Sequence, residues 1–397
     1  VQKYGGTSLA DLDRIRHVAQ HIAQTKQNHD LVVVVSAMGQ QTDELLAMAY
    51  ELAPHPVERE LDMLLTVGER ISMALLSIAL NAHGISTVSL TGSQSGIITD
   101  TYHGNARIQD IQGHRIQQAL DQHKVVIIAG FQGMSLPNKE VTTLGRGGSD
   151  LTAIALTQRL KATRCEIYKD VDGIYTADPR LVQAAHPLKS LGWSALTHLT
   201  WFGSSVVHSR GAHLAQKGRI PLEIRSSFDL EKPGTRVEQE ADMEAAHIEA
   251  MSHREGLALV QTSHAATPAL HQLTSWLWRL GITPLINQEV KTSDGRWQCR
   301  LAVPSQNLKD LQAMVQQSST KTSDFAVLHP DVAAITLVGA GFWQAPEILD
   351  QAMQALVSQP LLIATQNQTI TFLVEGSSLQ ADLVNLHQQL IVDTPGN

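Results

Sequence analysis

Strand-like and helix-like patterns alternate through the first 235 residues. Leu31–Val35 and Lys124–Ala129 contain unbroken apolar runs, which suits strands buried on both faces of a sheet. Ile85–Leu90, Cys165–Tyr168 and Leu222–Ile224 are shorter candidates of the same kind. Between them, apolar residues recur at helical spacing in Thr42–Leu52, Glu58–Ala82, Ala106–His123 and Asp150–Lys161. This alternation predicts an α/β sandwich around a mainly parallel sheet. Ligands of such sheets bind beyond the carboxyl ends of the strands, so the loops there are the first place to seek chemistry.

The pattern changes at a charged stretch with a Pro-Gly turn, Asp229–Asp242. Beyond it the elements are shorter. Strands are expected at Gly256–Thr262, Ile282–Gln288, Trp297–Val303, Ala333–Val338, Pro360–Ala364 and Thr369–Val374. Helices are expected at Thr267–Leu280, Leu308–Gln316, Ala345–Val357 and Leu379–Leu390. That order reads as two small α+β (ferredoxin-like) units in tandem, separated by polar Gln316–Ser323. The expected organisation is therefore a domain over 1–235, a linker over 236–246, and small domains over 247–320 and 321–397.

Composition narrows the class. The net charge is −8 and no basic block stands out, which argues against a nucleic-acid partner. An apolar fraction of 43% argues against bulk disorder. Two cysteines cannot build a disulfide scaffold or a four-thiolate metal site. The 18 histidines show no H-E-x-x-H spacing, and no metal ligands are expected. No run of about 18 apolar residues occurs, so no membrane span is expected. With no secretory pattern at Val1-Gln2-Lys3, the expected compartment is the cytoplasm.

Three loops carry candidate chemistry. Lys3-Tyr4-Gly5-Gly6-Thr7-Ser8 places a lysine beside two glycines, suiting close backbone approach to a phosphate, although a plain glycine turn explains it equally well. Thr143–Asp150 sets Arg146 among three glycines before a helical run. Ser149 or Asp150 capping that helix is the plain structural reading. Capping leaves Arg146 unexplained, and a guanidinium there suits a carboxylate. Asp170–Arg180 holds three aspartates but lacks the calcium-loop glutamate, and better suits ribose, phosphates and magnesium. Glu69, inside a largely apolar helix, needs a cationic partner to be functional.

Taken in order, these segments resemble the aspartate kinases of the amino acid kinase family. The resemblance rests on Lys3–Ser8, Val35–Met38, Gly68-Glu69, Leu90–Gly92 with Gly96–Asp100, Ala129–Gly133, Leu144–Asp150, Asp170–Arg180 and Arg225–Phe228. More weakly, the tail resembles tandem ACT regulatory domains. The resemblance implies transfer of the ATP γ-phosphoryl group to the side-chain carboxylate of L-aspartate, serving lysine or threonine biosynthesis. Lys3 would contact the transferring group and Asp150 would orient Lys3. Gly5, Gly6, Gly147 and Gly148 would line the phosphates. Ser36, Glu69, Arg146 and Ser149 would bind substrate, Glu69 taking the ammonium and Arg146 a carboxylate. Lys169, Asp170, Tyr175 and Arg180 would hold the nucleotide, with Mg²⁺ bridging phosphate oxygens. ACT-like domains imply a homo-oligomer and an amino-acid effector. Kinase action on another acidic amino acid in specialised metabolism, or a weakly active regulatory subunit, are the alternatives.

The chain departs from the family pattern in places. Ser205 stands where relatives often have a phosphate-contacting lysine, with Arg210 or Lys217 as candidate replacements. Ala269 replaces an effector-site glycine, which predicts weak or absent feedback inhibition by lysine or threonine.

Overall fold

The computed structural model describes residues 1–238, 246–264, 275, 277, 282–317 and 324–392. The chain divides into two compact units. The first comprises Val1–Ile174, Pro187–Thr200 and Ser205–Ala241; the second comprises Tyr175–His186, Trp201–Ser204 and Asp242–Asn397.

The first unit is built on an eight-stranded sheet. In chain order its strands are β1 (Gln2–Tyr4), β2 (Val32–Val35), β3 (Thr87–Leu90), β6 (Val125–Ala129), β9 (Cys165–Lys169), β10 (Ser190–Gly192), β11 (Leu222–Ser226) and β12 (Thr235–Glu238). Across the sheet they run β10-β12-β11-β9-β1-β2-β6-β3. Only β11 and β12 are antiparallel neighbours. Residues 236–238, expected in the linker, instead form part of β12 and pair with β11 and β10. A smaller sheet, ordered β5-β4-β7-β8, holds β4 (Ile97–Thr99), β5 (Ile108–Ile111), β7 (Gln132–Ser135) and β8 (Val141–Thr143).

Helices cover the large sheet on both sides. On one side, α1 (Leu12–Lys26) and α3 (Glu58–Ala82) bury Ile15, Ile22, Leu76 and Leu80 against Val33, Val35 and Ile127. On the other, α5 (Gly148–Leu160) lies over β1, β2 and β9 and is buried on every side from Gly148 to Thr157. α2 (Gln41–Leu52) follows β2 and packs on α3. The expected helix 106–123 is two elements: Ile108–Ile111 is strand β5, and only α4 (His114–Asp121) is helical. Gly113, at φ +70°, separates them, because a left-handed residue ends helical propagation. By length and composition alone, α3 is apolar enough to cross a membrane. Here it is a core helix, with Asp62 and Glu69 on its buried face.

Among the described residues, the second unit is built on one antiparallel sheet of six strands, ordered β14-β15-β13-β16-β18-β17. Its central pair is β13 (His247–His264) and β16 (Asp324–Ala340), flanked by β14 (Ile286–Lys291), β15 (Trp297–Pro304), β17 (Leu362–Thr365) and β18 (Thr369–Glu375). β13 is much longer than the expected 256–262. Its first half places Met251, assigned from sequence to the first small domain, in a core with Ile335 and Phe372 of the second. Two excursions of the chain complete this unit. Ala177 and Val182 join the core of Phe372 and Leu383, and Phe202 packs with Leu257 and Leu373. Met251 donates its N–H to the Thr176 carbonyl at 2.7 Å, and the Thr176 hydroxyl lies 2.9 Å from Nε2 of buried His387. The predicted helix 267–280 (positions 275 and 277 apart), the separator at 318–323 and Ala269 lie outside the described residues.

Candidate active site

Strands β2, β1 and β9 end side by side, and their carboxyl ends carry the site. The parallel register pairs Lys3 with Ile167, so Lys3 and Lys169 point to the same face, toward α5. Asp150, in the first turn of α5, receives both: Lys3 Nζ lies 2.8 Å from Oδ1 and Lys169 Nζ 3.1 Å from Oδ2. The Asp150 side chain is only 3% exposed and that of Lys3 7%. Burial alone would raise the Asp150 carboxyl, but Lys169 and Lys3 outweigh it and hold it well below the carboxylate range. Burial pulls the Lys3 ammonium down, with Asp150 opposing. Two ammonium groups on one carboxylate leave a surplus positive charge, suited to a polyphosphate.

Glycines shape the walls. α5 starts from Gly147 at φ +81° with no side-chain cap, so neither Ser149 nor Asp150 serves as the cap that the plain reading required. A Cβ on Gly147 would lie 2.9 Å from Cδ2 of His208. The backbone N–H of His208 donates to Oδ2 of Asp150 at 3.2 Å. Gly148 is the first residue of α5, and its N–H turns back onto the Gly145 carbonyl at 2.9 Å. Across the site, Gly5 donates to the Tyr168 carbonyl at 3.3 Å, and a Cβ on Gly6 would sit 2.9 Å from the carbonyl oxygens of Ala37 and Gly39. At Gly6 the loops after β1 and β2 therefore meet backbone to backbone.

The loop after β2 leads to a buried acid. Ser36 donates its N–H to the Tyr4 carbonyl at 3.1 Å, and Ala37 donates to Oε1 of Glu69 at 3.1 Å. Glu69 is 3% exposed, and among the described residues its Oε2 has no hydrogen-bond partner. Burial pushes its carboxyl up to about 7, against the pull of backbone N–H groups and Lys3. A sealed oxygen without a partner suits an incoming cation. Ser149 is buried beside Asp150, against Gly130 at the end of β6. Arg146 stands exposed at the rim, its Nη2 2.8 Å from Oδ1 of Asp43 in the first turn of α2. That guanidinium is already holding a carboxylate.

Two replacements expected for the charge missing at Ser205 are corrected. Arg210 is committed to backbone and amide oxygens: Nη1 donates to Asn105 Oδ1 at 2.8 Å and the Leu144 carbonyl at 2.9 Å, and Nη2 to the Ala106 carbonyl at 2.7 Å. Lys217 is exposed at the far end of the helix Ser209–Gly218, about 13 Å along the helix axis from His208. Lys169 stands beside position 205, with Nζ 3.5 Å from the Ser205 carbonyl. Asp170, just past β9, is exposed. Tyr175 and Arg180 lie in the excursion belonging to the second unit, where Arg180 forks onto the Asp178 carboxylate. Reading the sequence missed His208 and Asp43. A lone histidine after a glycine-serine turn and one acid on an amphipathic helix carry no distinguishing pattern.

A parallel α/β sheet whose strand ends gather two lysines, an aspartate and glycine loops defines a phosphoryl-transfer kinase. The family model described as the amino acid kinase family matches residues 1–226. Over 402 residues the chain is 38% identical to the aspartokinase of Mycolicibacterium smegmatis, covering 98% of this chain and 95% of the relative. It is 37% identical to the Thermus thermophilus aspartokinase over 401 residues, covering 99% and 98%. Among solved structures, E. coli aspartokinase III in complex with aspartate and ADP superposes with a TM-score of 0.84 at 22% identity, covering 98% of this chain and 99% of that one, which shows the shared fold. The chain belongs to the aspartokinases of the amino acid kinase family.

Proposed function

We propose that this chain transfers the γ-phosphoryl group of ATP to the side-chain carboxylate of L-aspartate, giving 4-phospho-L-aspartate. The observation that carries this reading is the pairing of a phosphate-type site with an amino-acid-type site on adjacent strand ends. Lys3 and Lys169, fixed by one buried carboxylate, neutralise the charge of the transferring group. Asp150 is a positioning residue whose lowered pKa keeps it ionised and both lysines in place. Gly5, Gly6, Gly147 and Gly148 let the phosphates approach backbone, and Asp170 serves the nucleoside end. Glu69 receives the substrate ammonium, Arg146 exchanges Asp43 for a substrate carboxylate, and Ser36 and Ser149 hydrogen-bond the substrate. The protein's part is alignment of the carboxylate with the phosphorus atom and exclusion of water.

Magnesium fits this site as a companion of the nucleotide. Among the described residues no group of three or more His, Cys, Asp or Glu forms a cage. Mg²⁺ commonly takes phosphate oxygens, waters and one or two carboxylates, and Asp170, exposed next to Lys169, would be the carboxylate to contribute. When bound, the cation supplies charge neutralisation on the phosphate oxygens. The same reading makes the enzyme a cytoplasmic homo-oligomer, associating through its second unit and open to an amino-acid effector.

The test is ATP turnover with L-aspartate in the presence of hydroxylamine, which traps an acyl phosphate as its hydroxamate. Aspartate-dependent hydroxamate is expected, with far less from glutamate. A folded, nucleotide-binding protein that forms no aspartyl hydroxamate sinks the assignment.

A further inference from the structure

Asp62 lies on the buried face of α3, seven residues before Glu69, and is wholly buried. Its carboxylate is one of the most heavily bonded groups in the first unit. Oδ1 accepts from the Thr143 hydroxyl at 2.5 Å and from the Gly104 N–H at 3.1 Å. Oδ2 lies 2.7 Å from Nδ1 of His103 and 3.2 Å from the same Gly104 N–H. Thr143 is the last residue of β8 and stands at the foot of the loop carrying Arg146. The next residue is held from two more directions, its N–H by the Phe131 carbonyl at 2.8 Å and its carbonyl by Arg210 at 2.9 Å. Asn105, just past the His103-Gly104 pair, lies against Gly145 in that loop.

Two turns of one helix thus carry two fixed points. At one, Asp62 anchors the foot of the Arg146 loop. At the other, about 10 Å further along the axis, Glu69 offers its unpartnered oxygen. Resting on the reading of Glu69 as ammonium partner and Arg146 as carboxylate partner, we infer that Asp62 and Thr143 are positioning residues. Through them α3 acts as a ruler that sets the span between the two ends of the amino-acid substrate, and so excludes an acidic amino acid one methylene longer. Neither residue touches substrate. A buried carboxylate with this many donors is also stiff, because losing any donor strands a buried polar atom. That stiffness is what a length selection needs, since a methylene by itself is a weak discriminator.

The experiment measures KM for aspartate and for ATP, and the ratio of kcat/KM for aspartate over glutamate, in the wild type, Thr143→Val, Thr143→Ser and Asp62→Asn. Thr143→Val is expected to raise KM for aspartate about tenfold and to lower the ratio about tenfold, the scale of one lost buried hydrogen bond. KM for ATP should stay within about twofold, and Thr143→Ser should restore both values. Asp62→Asn should show the same split more strongly; if it does not fold, Thr143→Val decides alone. An unchanged ratio in Thr143→Val, or equal losses for aspartate and ATP, overturns the ruler and leaves only a structural bond. Absence of wild-type aspartate turnover instead overturns the function on which the ruler rests, and takes the ruler with it.

Discussion

Replacing Glu69 with glutamine separates the charge of this side chain from its shape. Burial raises the carboxyl from 4.5 to about 7 in the folded chain. Between those values the folded protein holds a proton that the unfolded chain has released. Stability from this group is therefore fully present below about pH 4.5 and falls as pH rises through the window up to about 7. The loss amounts to about 3 kcal/mol, taking about 1.4 kcal/mol for each tenfold change in proton affinity. Glutamine does not titrate, so Glu69→Gln should gain about that much on the wild type between pH 4.5 and pH 8. Denaturant unfolding of both proteins at the two pH values reads it. Activity should move the opposite way. Only ionised Glu69 attracts the substrate ammonium, so wild-type kcat/KM for aspartate should climb with pH up to about 7 and then level. Glu69→Gln should lie about 10- to 100-fold lower at pH 8, the scale of a lost charge-assisted contact, with no inflection near 7. A variant that keeps the inflection, or a relative stability that does not change with pH, refutes both the buried-acid argument and the ammonium role.

Three further outcomes follow from the same geometry. Asp150→Asn leaves two ammonium groups facing each other without a buried counter-charge; it should lose about 3–5 kcal/mol of stability and bind ATP analogues poorly, as calorimetry would show. Lys3→Ala should lower kcat by about 10²–10³-fold, whereas Arg146→Ala should act mainly on KM for aspartate; steady-state kinetics separates the two. Gly147→Ala puts a Cβ against His208 at a left-handed φ, so it should weaken nucleotide binding while circular dichroism stays native.

What could be read from the sequence divides along a physical line. Lys3, Arg146, Asp150 and the glycines around them were legible because charged residues stand among clustered glycines at Lys3–Gly6 and Gly145–Asp150, a pattern that survives without a structure. Asp62 was not, because one acid in an apolar helix has the same local pattern whether it faces solvent or a threonine across the fold. Arg210 is a similar case: a basic residue near a missing lysine invites a charge role, yet its guanidinium is consumed by carbonyl oxygens. Residues 106–123 misled because Ile108, Ile111 and Ile116 fit helical spacing, and only Gly113 marks the break. The first half of β13 was hidden by Arg254-Glu255-Gly256, a turn-like triplet that the strand traverses through a register shift.

The two excursions, 175–186 and 201–204, also bear on how the chain can be dissected or recombined. A construction ending near residue 241 would keep Ala177, Val182 and Phe202 but discard the apolar partners that cover them. The remaining piece would carry bare hydrophobic segments on its own loops and tend to aggregate. Conversely, the tail from residue 242 onward, produced without the two excursions, would lack a hydrogen-bond acceptor for Met251 and the hydroxyl facing buried His387. Exchange of this unit between relatives is therefore not a matter of one crossover. A viable chimera needs five junctions, two around each excursion and one before the tail, with residues 175–186 and 201–204 travelling together with the tail they complete.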